Sequence, residues 1–538
     1  MSEIDPKALI ERFRRAKDRR AVWEAHWQEC YDFALPQRGG GLMQTMTPGA
    51  KRTDKLFDGT APDAVDQLAA SLLAQLTPPW ARWFGFDVGK DVAPEDQDML
   101  AAELERAETI LQSHFDRANF AVEMHQCFLD LVTAGTASLM FEEAPPGEPS
   151  AFRFTAVPLA QVVLEEGAAG RLDTSFRRSE LTHAQLRDRF AEAPIPGAVA
   201  ERLERDAEAR ATVIEAVVPE KGGYTYLAVL ETDPAPVGEP AVLARGRFHQ
   251  SPFINFRWLK APGEAYGRSP VMKALPDIKT ANKVVELVLK NASIAVTGIW
   301  QADDDGVLNP ATIKLVPGTI IPKAVGSSGL TPLEAPGRFD VSELVLDQLR
   351  GRIRSALLVD KLGPVESPRM TATEVLERAA EMARVLGATY GRLQSELLTP
   401  LVQRGLAILV RRGEVADLRV DGRLVDLSYK SPLARNQAQQ DAQNTLMWLD
   451  AVRALGPEAL PAIDQPKTVR WLARAFGVPA ELLRPEGEVA AAGGAMPDAA
   501  SLMALFGQGA AAAGGSVLPA AGPADPVTMA QGGQDVPS

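Results

Sequence analysis

Cysteine and histidine are scarce in this chain of 538 residues. It has two cysteines, Cys30 and Cys127, and five histidines. The cysteines have no metal-ligand spacing, and the histidines form no H-E-x-x-H pattern. These absences exclude a disulfide framework and the common zinc motifs, so we expect no cofactor and no metal. Two isolated cysteines are typical of a protein made in a reducing compartment.

Long apolar runs are also missing. No window approaches the ~18 uncharged apolar residues that suggest a membrane-spanning helix. The N-terminal stretch MSEIDPKALIERFRRAKDRR has no apolar segment of the kind found in secretory signals. The sequence therefore predicts synthesis in a cytoplasm and no membrane partner.

Positive charge is in deficit. The chain has 57 Lys and Arg against 70 Asp and Glu, which gives a formal net charge of −13. Proteins that wrap nucleic acid on their surface are usually basic. Any contact with DNA is therefore expected to be local or weak.

Enzyme signatures are absent as well. GFDVGKD has neither the spacing of a phosphate-binding loop nor Ser or Thr after Lys90, and GSSG is one residue short of G-x-S-x-G. We expect no catalytic activity. A cytoplasmic α+β enzyme stays open as an alternative, because a catalytic group can be assembled from residues far apart in sequence.

The N-terminal half alternates helical and strand-like patterns. Apolar spacing predicts helices at 5–34 and 60–76, the latter capped by Thr60, and two more within 95–140. From 150 to 258 the pattern becomes strand-like, with a helical interlude at 180–210. The fold class predicted is therefore α+β and helix-rich. Five tryptophans are expected to be core or interface anchors: Trp23, Trp27, Trp80, Trp83 and Trp258.

The stretch EAYGRSPVMKALPDIKTANKVVELVLKNASIAV, residues 264–296, predicts a turn followed by a long helix. Ser269 suits an N-cap, and Pro276 predicts a break and a restart. Val285 belongs to an apolar face, whereas Lys279, Lys283 and Lys290 lie on another face. A row of lysines is ordinarily a solvated helix face, and contact with phosphate is the functional alternative.

A turn-rich segment at 301–338 separates this helix from a second amphipathic helix, Ser342–Leu358, which carries Leu346 on its apolar face. Its DDDG turn, Asp303, Asp304 and Asp305, lacks the EF-hand spacing for calcium and is expected to be an exposed acidic turn. Arg350 and Arg354 are four residues apart on the second helix. Pairing with Asp347 or with a neighbouring subunit is as reasonable for them as contact with DNA.

The C-terminal third begins with a loop at 360–370 that contains Lys361 and Arg369. TATE at 371–374 matches a capping box, and the helix that follows is expected to bend at Pro400. Residues 432–483 are predicted to be helical. Residues 487–538 are rich in Ala, Gly and Pro without Lys or Arg, and are predicted to be disordered.

In this order, the motifs resemble those of portal, or head-to-tail connector, proteins of short-tailed phages. The resemblance covers about residues 5–485 and rests on YDFALPQRG, DGTAPDAVDQLAASLLAQLTPPWARWF, YGRSP with its helix, RMTATEV and GRLQSELLTPLV. It implies a ring, usually of twelve copies, at one capsid vertex. Double-stranded DNA would pass through the ring, driven by a separate terminase.

The resemblance also implies a division of the chain. Residues 1–265 would form the wing, 266–300 and 339–359 two stem helices, and 301–338 the clip between them. Residues 360–370 would form a channel loop, 371–430 a bent helix and a return to the wing, 431–486 the crown, and 487–538 the disordered tail.

Partners and site residues follow from the same resemblance. The partners expected are other copies of the chain, double-stranded DNA, the terminase large subunit, major capsid and scaffolding proteins, and tail adaptor proteins. The residues expected to face the DNA are Lys279, Lys283, Lys290, Arg350, Arg354, Lys361 and Arg369, whereas Asp303, Asp304 and Asp305 would meet a clip partner. The apolar stripes of Val285 and Leu346 are expected to pack between subunits. A different virion structural protein remains the main alternative.

Overall fold

The structure, a computed structural model, describes most of the chain up to residue 478. The described residues are 4–38, 42, 49–79, 82–88, 94–191, 193–206, 209–231, 240–297, 300–302, 325, 330–332, 339–359, 387–416, 425–428, 432–454, 463–476 and 478. The predictions for Asp303, Asp304 and Asp305, for the loop at 360–370 with Lys361 and Arg369, for the capping box at 371–374 and for the tail lie outside them, as does Trp80.

The chain combines long helices with short antiparallel strands. The helices are α1 (Pro6–Ala34), α2 (Thr60–Leu76), α3 (Pro94–Arg117), α4 (Phe120–Ala134), α5 (His183–Arg189), α6 (Gly197–Arg205), α7 (Pro270–Thr297), α8 (Phe339–Ala356), α9 (Thr399–Arg411), α10 (Pro432–Ala454) and α11 (Gln465–Phe476). A π-helical segment, Gln394–Leu398, directly precedes α9. The predicted mixture of helices and strands is therefore present.

The strands gather mainly between residues 136 and 257. They are β1 (Gly85–Val88), β2 (Thr136–Glu143), β3 (Phe152–Val157), β4 (Val162–Glu165), β5 (Thr174–Leu181), β6 (Ala211–Glu220), β7 (Gly223–Glu231), β8 (Val242–Phe248), β9 (Phe253–Arg257), β10 (Trp300–Ala302), β11 (Leu330–Pro332) and β12 (Val425–Ser428). All the registered pairs among them are antiparallel.

A five-stranded sheet, in the order β4-β5-β6-β7-β8, is covered on both faces. Ile214 and Ala216 of β6 pack with Leu9 and Phe13 of α1, whereas Val213 packs with the helices α5 and α6 on the other face. Side chains along a strand alternate between its two faces. This alternation explains why β6 reads as a nearly continuous apolar run, ATVIEAVVPE.

A three-stranded sheet, in the order β3-β2-β9, belongs to the main core. Phe141 of β2 contacts Phe152 and Phe154 of β3, with ring centroids 5.0 and 4.4 Å apart. Residues 136–140 were expected to continue a helix and are instead part of β2. Gly135 ends α4 in the left-handed region at φ 79°, and the chain then turns into the strand.

The tryptophan anchors agree with the prediction where the structure describes them. Trp27, Trp83 and Trp258 are buried, and Trp23 is partly buried against the main core. Both cysteines are buried and free. Burial raises the pKa of the Cys30 thiol, and the nearby Glu29 carboxylate raises it further, to about 12.

One predicted helix cap and one predicted helix start are wrong. Gly59 is the N-cap of α2, and the Thr60 backbone N–H instead donates to Asp58 Oδ1 at 3.0 Å. The second amphipathic helix begins at Phe339 rather than at Ser342. Helix boundaries are less strongly fixed by sequence than helix interiors.

Pro276 acts differently from the expectation. It does not interrupt α7, which continues through it; buried Leu275 and Ile278 on either side attach both halves to one core. Directly before Pro400, where a bend is expected, the chain forms the π-helical segment. There the Thr399 backbone N–H donates to the Gln394 carbonyl, five residues back.

Candidate functional site

The YGRSP turn fixes the start of α7 against the end of α4. The Gly267 backbone N–H donates to Thr136 Oγ1 at 2.8 Å, and the Trp258 backbone N–H donates to the Gly135 carbonyl at 2.9 Å. A Cβ atom on Gly267 would overlap the Gly135 carbonyl oxygen. The two glycines therefore allow a backbone contact that no larger residue permits.

Ser269 caps α7 as the sequence predicts. Its Oγ accepts the Met272 backbone N–H at 2.8 Å and donates to the Thr133 carbonyl at 2.8 Å. One hydroxyl thus satisfies an unpaired helix N–H and also binds α7 to the last turn of α4. The direction of α7 is set by these contacts.

Helices α7 and α8 pack against each other within one chain. Ile278 and Ala281 of α7 are buried in the main core, as are Leu346, Leu349 and Ile353 of α8 and Leu357 directly after it. Val285 is partly buried against the same core. The prediction that these stripes pack between subunits is therefore wrong for Leu346, which the chain's own core covers, whereas for the partly exposed Val285 it stays a prediction. The side chains left exposed near them are Leu287, Leu289, Leu344 and Val345.

The lysine row (Lys279, Lys283 and Lys290) lies on a different face of α7 from the buried stripe, as predicted. Lys283 and Lys290 have side chains 61% and 64% exposed. Glu286 lies between them and accepts from Lys283 Nζ at 2.9 Å and from Lys290 Nζ at 2.6 Å. These hydrogen bonds, from Lys290 first and then Lys283, lower the pKa of the Glu286 carboxyl.

Lys279 is also paired. Its Nζ lies 3.1 Å from Glu29 Oε1 on α1 and 6.0 Å from the centroid of the Phe33 ring. The three lysines thus face two carboxylates, Glu29 and Glu286. The row keeps its cations near solvent but offers a formal excess of only one positive charge per chain.

The two arginines of α8 have different surroundings. Arg350 Nε donates to Asp58 Oδ2 at 2.9 Å. Asp58 was not among the partners that the sequence suggested for Arg350, which were Asp347, a neighbouring subunit and DNA. Arg354 is exposed and forms no ion pair with the residues that the structure describes. Between them, Arg352 lies 3.0 Å from Asp277 and joins α8 to α7.

Asp58 connects three parts of the chain. Burial works to raise the pKa of its carboxyl, but hydrogen bonds from Thr60 and the Arg350 guanidinium outweigh burial and hold the pKa below its usual value. Asn282 Oδ1 of α7 accepts the backbone N–H groups of Phe57 and Asp58 at 2.6 and 3.1 Å. The segment before α2 therefore stabilises the α7–α8 pair on one side.

A buried ion pair lies where β9 meets the π-helical segment. The Arg257 side chain is fully buried and donates from NH2 to Glu396 Oε1 at 2.6 Å and to the Gly170 carbonyl at 2.9 Å. Its NH1 donates to the Ala265 carbonyl at 3.0 Å, just before the YGRSP turn. This pair joins the residues that lead into α9 to the residues that lead into α7.

Among the residues with described positions, no group of three or more His, Cys, Asp or Glu is arranged to hold a metal ion. Within the same part of the chain, no helix is long and apolar enough to cross a membrane.

The comparison with known proteins identifies the family. A family model described as bacteriophage head to tail connecting protein matches residues 6–483. The chain belongs to this family of phage portal proteins. It is therefore a component of the virion at the junction between head and tail.

Individual relatives agree with the family match. A probable portal protein of Bordetella phage BPP-1 is 27% identical over 94% of each chain. The portal protein of Salmonella phage epsilon15 is 24% identical over 91% of this chain and 90% of its own. Among solved structures, one titled as the virion of a native gene transfer agent particle covers 75% of this chain and 91% of that chain at 13% identity, with a TM-score of 0.33.

The sequence analysis did not find the carboxylates that pair with the cations of α7 and α8. Glu286 was within reach, because its spacing of three and four residues from Lys283 and Lys290 places it on their face of the helix. Glu29 and Asp58 are far from their partners in sequence. Their pairing could not be read without the tertiary structure.

Proposed function

We propose that this portal protein forms a closed ring, usually of twelve copies, at one capsid vertex. Double-stranded DNA enters and leaves through the axis of the ring. The family match over residues 6–483 carries this proposal. The ring binds the terminase large subunit during packaging and tail adaptor proteins afterwards, and it contacts the major capsid and scaffolding proteins. The chain acts as a structural conduit and has no catalytic role.

The division into wing (1–265), stem helices (266–300 and 339–359), clip (301–338), channel loop (360–370), bent helix with its return (371–430) and crown (431–486) belongs to the same proposal. The geometry of α7 and α8 supports it in one respect. α7 begins on the main core and α8 ends on it, and both helices present cations on faces that the core does not cover. Such a pair suits the wall of a channel.

Within that proposal, the lysine row and Arg354 face the DNA, together with Lys361 and Arg369 of the channel loop. Arg350 contributes less, because Asp58 neutralises it. Asp303, Asp304 and Asp305 form a docking patch for a basic partner. Phosphate contacts are additive and salt-dependent, so a few partly neutralised cations guide DNA without holding it.

The channel loop offers a test of the conduit. Deleting residues 362–368 is expected to leave ring assembly intact and to impair DNA packaging or retention in particles. The matched control deletes 233–238, another Pro- and Gly-containing connection, and is expected to package normally. Normal packaging and retention by the 362–368 deletion would contradict a role for this loop in the channel.

A further inference from the structure

Helices α10 and α11 expose more large apolar side chains than a solvated surface explains. Trp448 is 51% exposed, Trp471 is 42% exposed and Phe476 is 48% exposed. Smaller apolar residues are exposed beside them: Leu446, Met447, Val469 and Val478. Single exposed apolar residues are normal, whereas a group of this kind marks an interaction site.

These side chains do not share one side of the helix pair. Trp471 and Phe476 are five residues apart, which places them about 140° apart around the axis of α11. Leu446 and Trp448 are about 160° apart around α10 on the same basis. The mutual packing of α10 and α11 covers only one side of each helix. Apolar surface therefore remains on different sides of the pair.

Two separate apolar surfaces favour other copies of this chain, arranged in a ring, as the partners. A two-fold dimer needs one self-complementary surface, whereas a ring needs two different surfaces on each copy, so that one copy's first surface meets the next copy's second. The charges of the two helices fit the same arrangement. Between its first and last turns, α10 has Asp441 and Asp450 as its charged residues, whereas all the charged residues of α11 are basic: Lys467, Arg470 and Arg474.

We propose that Trp448 on α10 packs against Trp471 on α11 of the adjacent copy. The pairing of α10 with α11 inside one chain is then repeated between chains around the ring. This inference rests on the proposed ring and adds the surfaces through which its C-terminal helices are joined.

Photo-crosslinking in mixed rings tests the inference. The change is Trp448→p-benzoylphenylalanine, which keeps an aromatic ring at a half-exposed position. Isotopically heavy and light chains are mixed before assembly, the rings are isolated and irradiated, and crosslinked peptides are sequenced by mass spectrometry. A crosslink between a light and a heavy chain can only join two copies.

The expected result is a heavy–light crosslink from position 448 to residues 465–478, in the proportion that random mixing of chains gives. Placing the same group at position 22, where Val22 is exposed on α1, is expected to give no crosslink to 465–478. Crosslinks confined to one chain, including any to residues 487–538, would overturn the inference, as would capture of a different protein in place of a second copy.

The failure of the inference is distinguishable from the failure of the proposed function. Native mass of the crosslinker-free protein establishes whether rings form. Rings without the heavy–light crosslink would overturn the contact alone. Absence of rings from the unmodified protein would contradict the proposed function, and the contact with it.

Discussion

Two carboxylates decide how strongly the lysine row can hold a phosphate backbone. Glu286 bonds to both Lys283 and Lys290, and Glu29 pairs with Lys279. Exposed pairs of this kind contribute little to stability. Their effect on DNA binding is larger, because the carboxylate of each pair competes with a DNA phosphate for the same ammonium group. In the proposed channel, this competition weakens the binding of the lysine row to passing DNA.

Glu286→Gln is therefore expected to strengthen DNA binding by assembled rings. Removing the carboxylate leaves Lys283 and Lys290 available, and each additional lysine that reaches a phosphate steepens the dependence of log K on log salt by about 0.9. The measurement is the affinity of the rings for a short duplex across a salt series.

Glu103→Gln is the matched control, because Glu103 is exposed on α3 and its substitution removes the same charge at a distance from the lysine row in sequence. It should leave the salt slope unchanged. An equal slope for Glu286→Gln and for the unmodified rings would show that the lysine row does not meet phosphate.

Asp58→Asn tests the ion pair at the base of α7 and α8. The variant keeps the shape of the side chain but loses its charge opposite Arg350, whose side chain is 39% exposed. Solvent screens such a pair, so we expect a loss of ~1–2 kcal/mol in the free energy of unfolding at neutral pH, measured by urea titration.

The pH dependence of that loss follows from the lowered pKa of Asp58. A carboxyl whose folded pKa is depressed stabilises the fold fully above its unfolded pKa, about 3.9 for Asp, and stops doing so as pH falls through the lower folded value. The difference between the unmodified protein and Asp58→Asn should hold from neutral pH towards pH 4 and shrink below it. A difference that grows on acidification would contradict this assignment.

Helices and strands with strong local patterns could be predicted from the sequence. The apolar spacing of α1 and α2 predicted bounds close to the observed ones, because this spacing matches the helical period. Ser269 could be identified as a cap because its hydrogen bond with the Met272 backbone N–H joins residues that are close in sequence.

Elements that depend on distant partners could not be predicted. β1 pairs with β12, more than 300 residues later in the chain, and each strand is only four residues long. Pro276 lies inside α7 because the core holds both halves in line, although its local chemistry favours a break. Tertiary packing outweighs local propensity at these sites.

Gly267→Ala tests how the YGRSP turn positions α7. The added Cβ would overlap the carbonyl oxygen of Gly135, which is backbone and cannot move aside without shifting α4 or α7. We expect a lower midpoint of thermal unfolding and fewer assembled rings, measured by calorimetry and native mass.

Gly351→Ala on α8 is the control, because a Cβ there meets nothing within 4 Å. Alanine is favoured over glycine within a helix by roughly 0.5–1 kcal/mol, so this variant should be as stable as the unmodified protein or slightly more stable. Equal behaviour of the two variants would contradict the close contact as the reason for glycine at 267.

The proposed ring is expected to have its subunit contacts outside the buried residues of these stripes. Leu346 and Ile353 are buried within one chain, so replacing them would damage the chain's own fold and would say little about assembly. Surfaces that remain exposed on α7 and α8, such as Leu289 and Leu344, and those of α10 and α11 are available to neighbouring copies. A head-to-tail ring closes when such contacts repeat with a constant rotation.

Native mass combined with negative-stain imaging of the purified protein tests the central claim most directly. The account predicts closed rings of about twelve copies, with an axial opening wide enough for a DNA duplex and a stalk formed by α7 and α8. A compact dimer without an axial opening would contradict it, because such a particle has no path through which a duplex could pass.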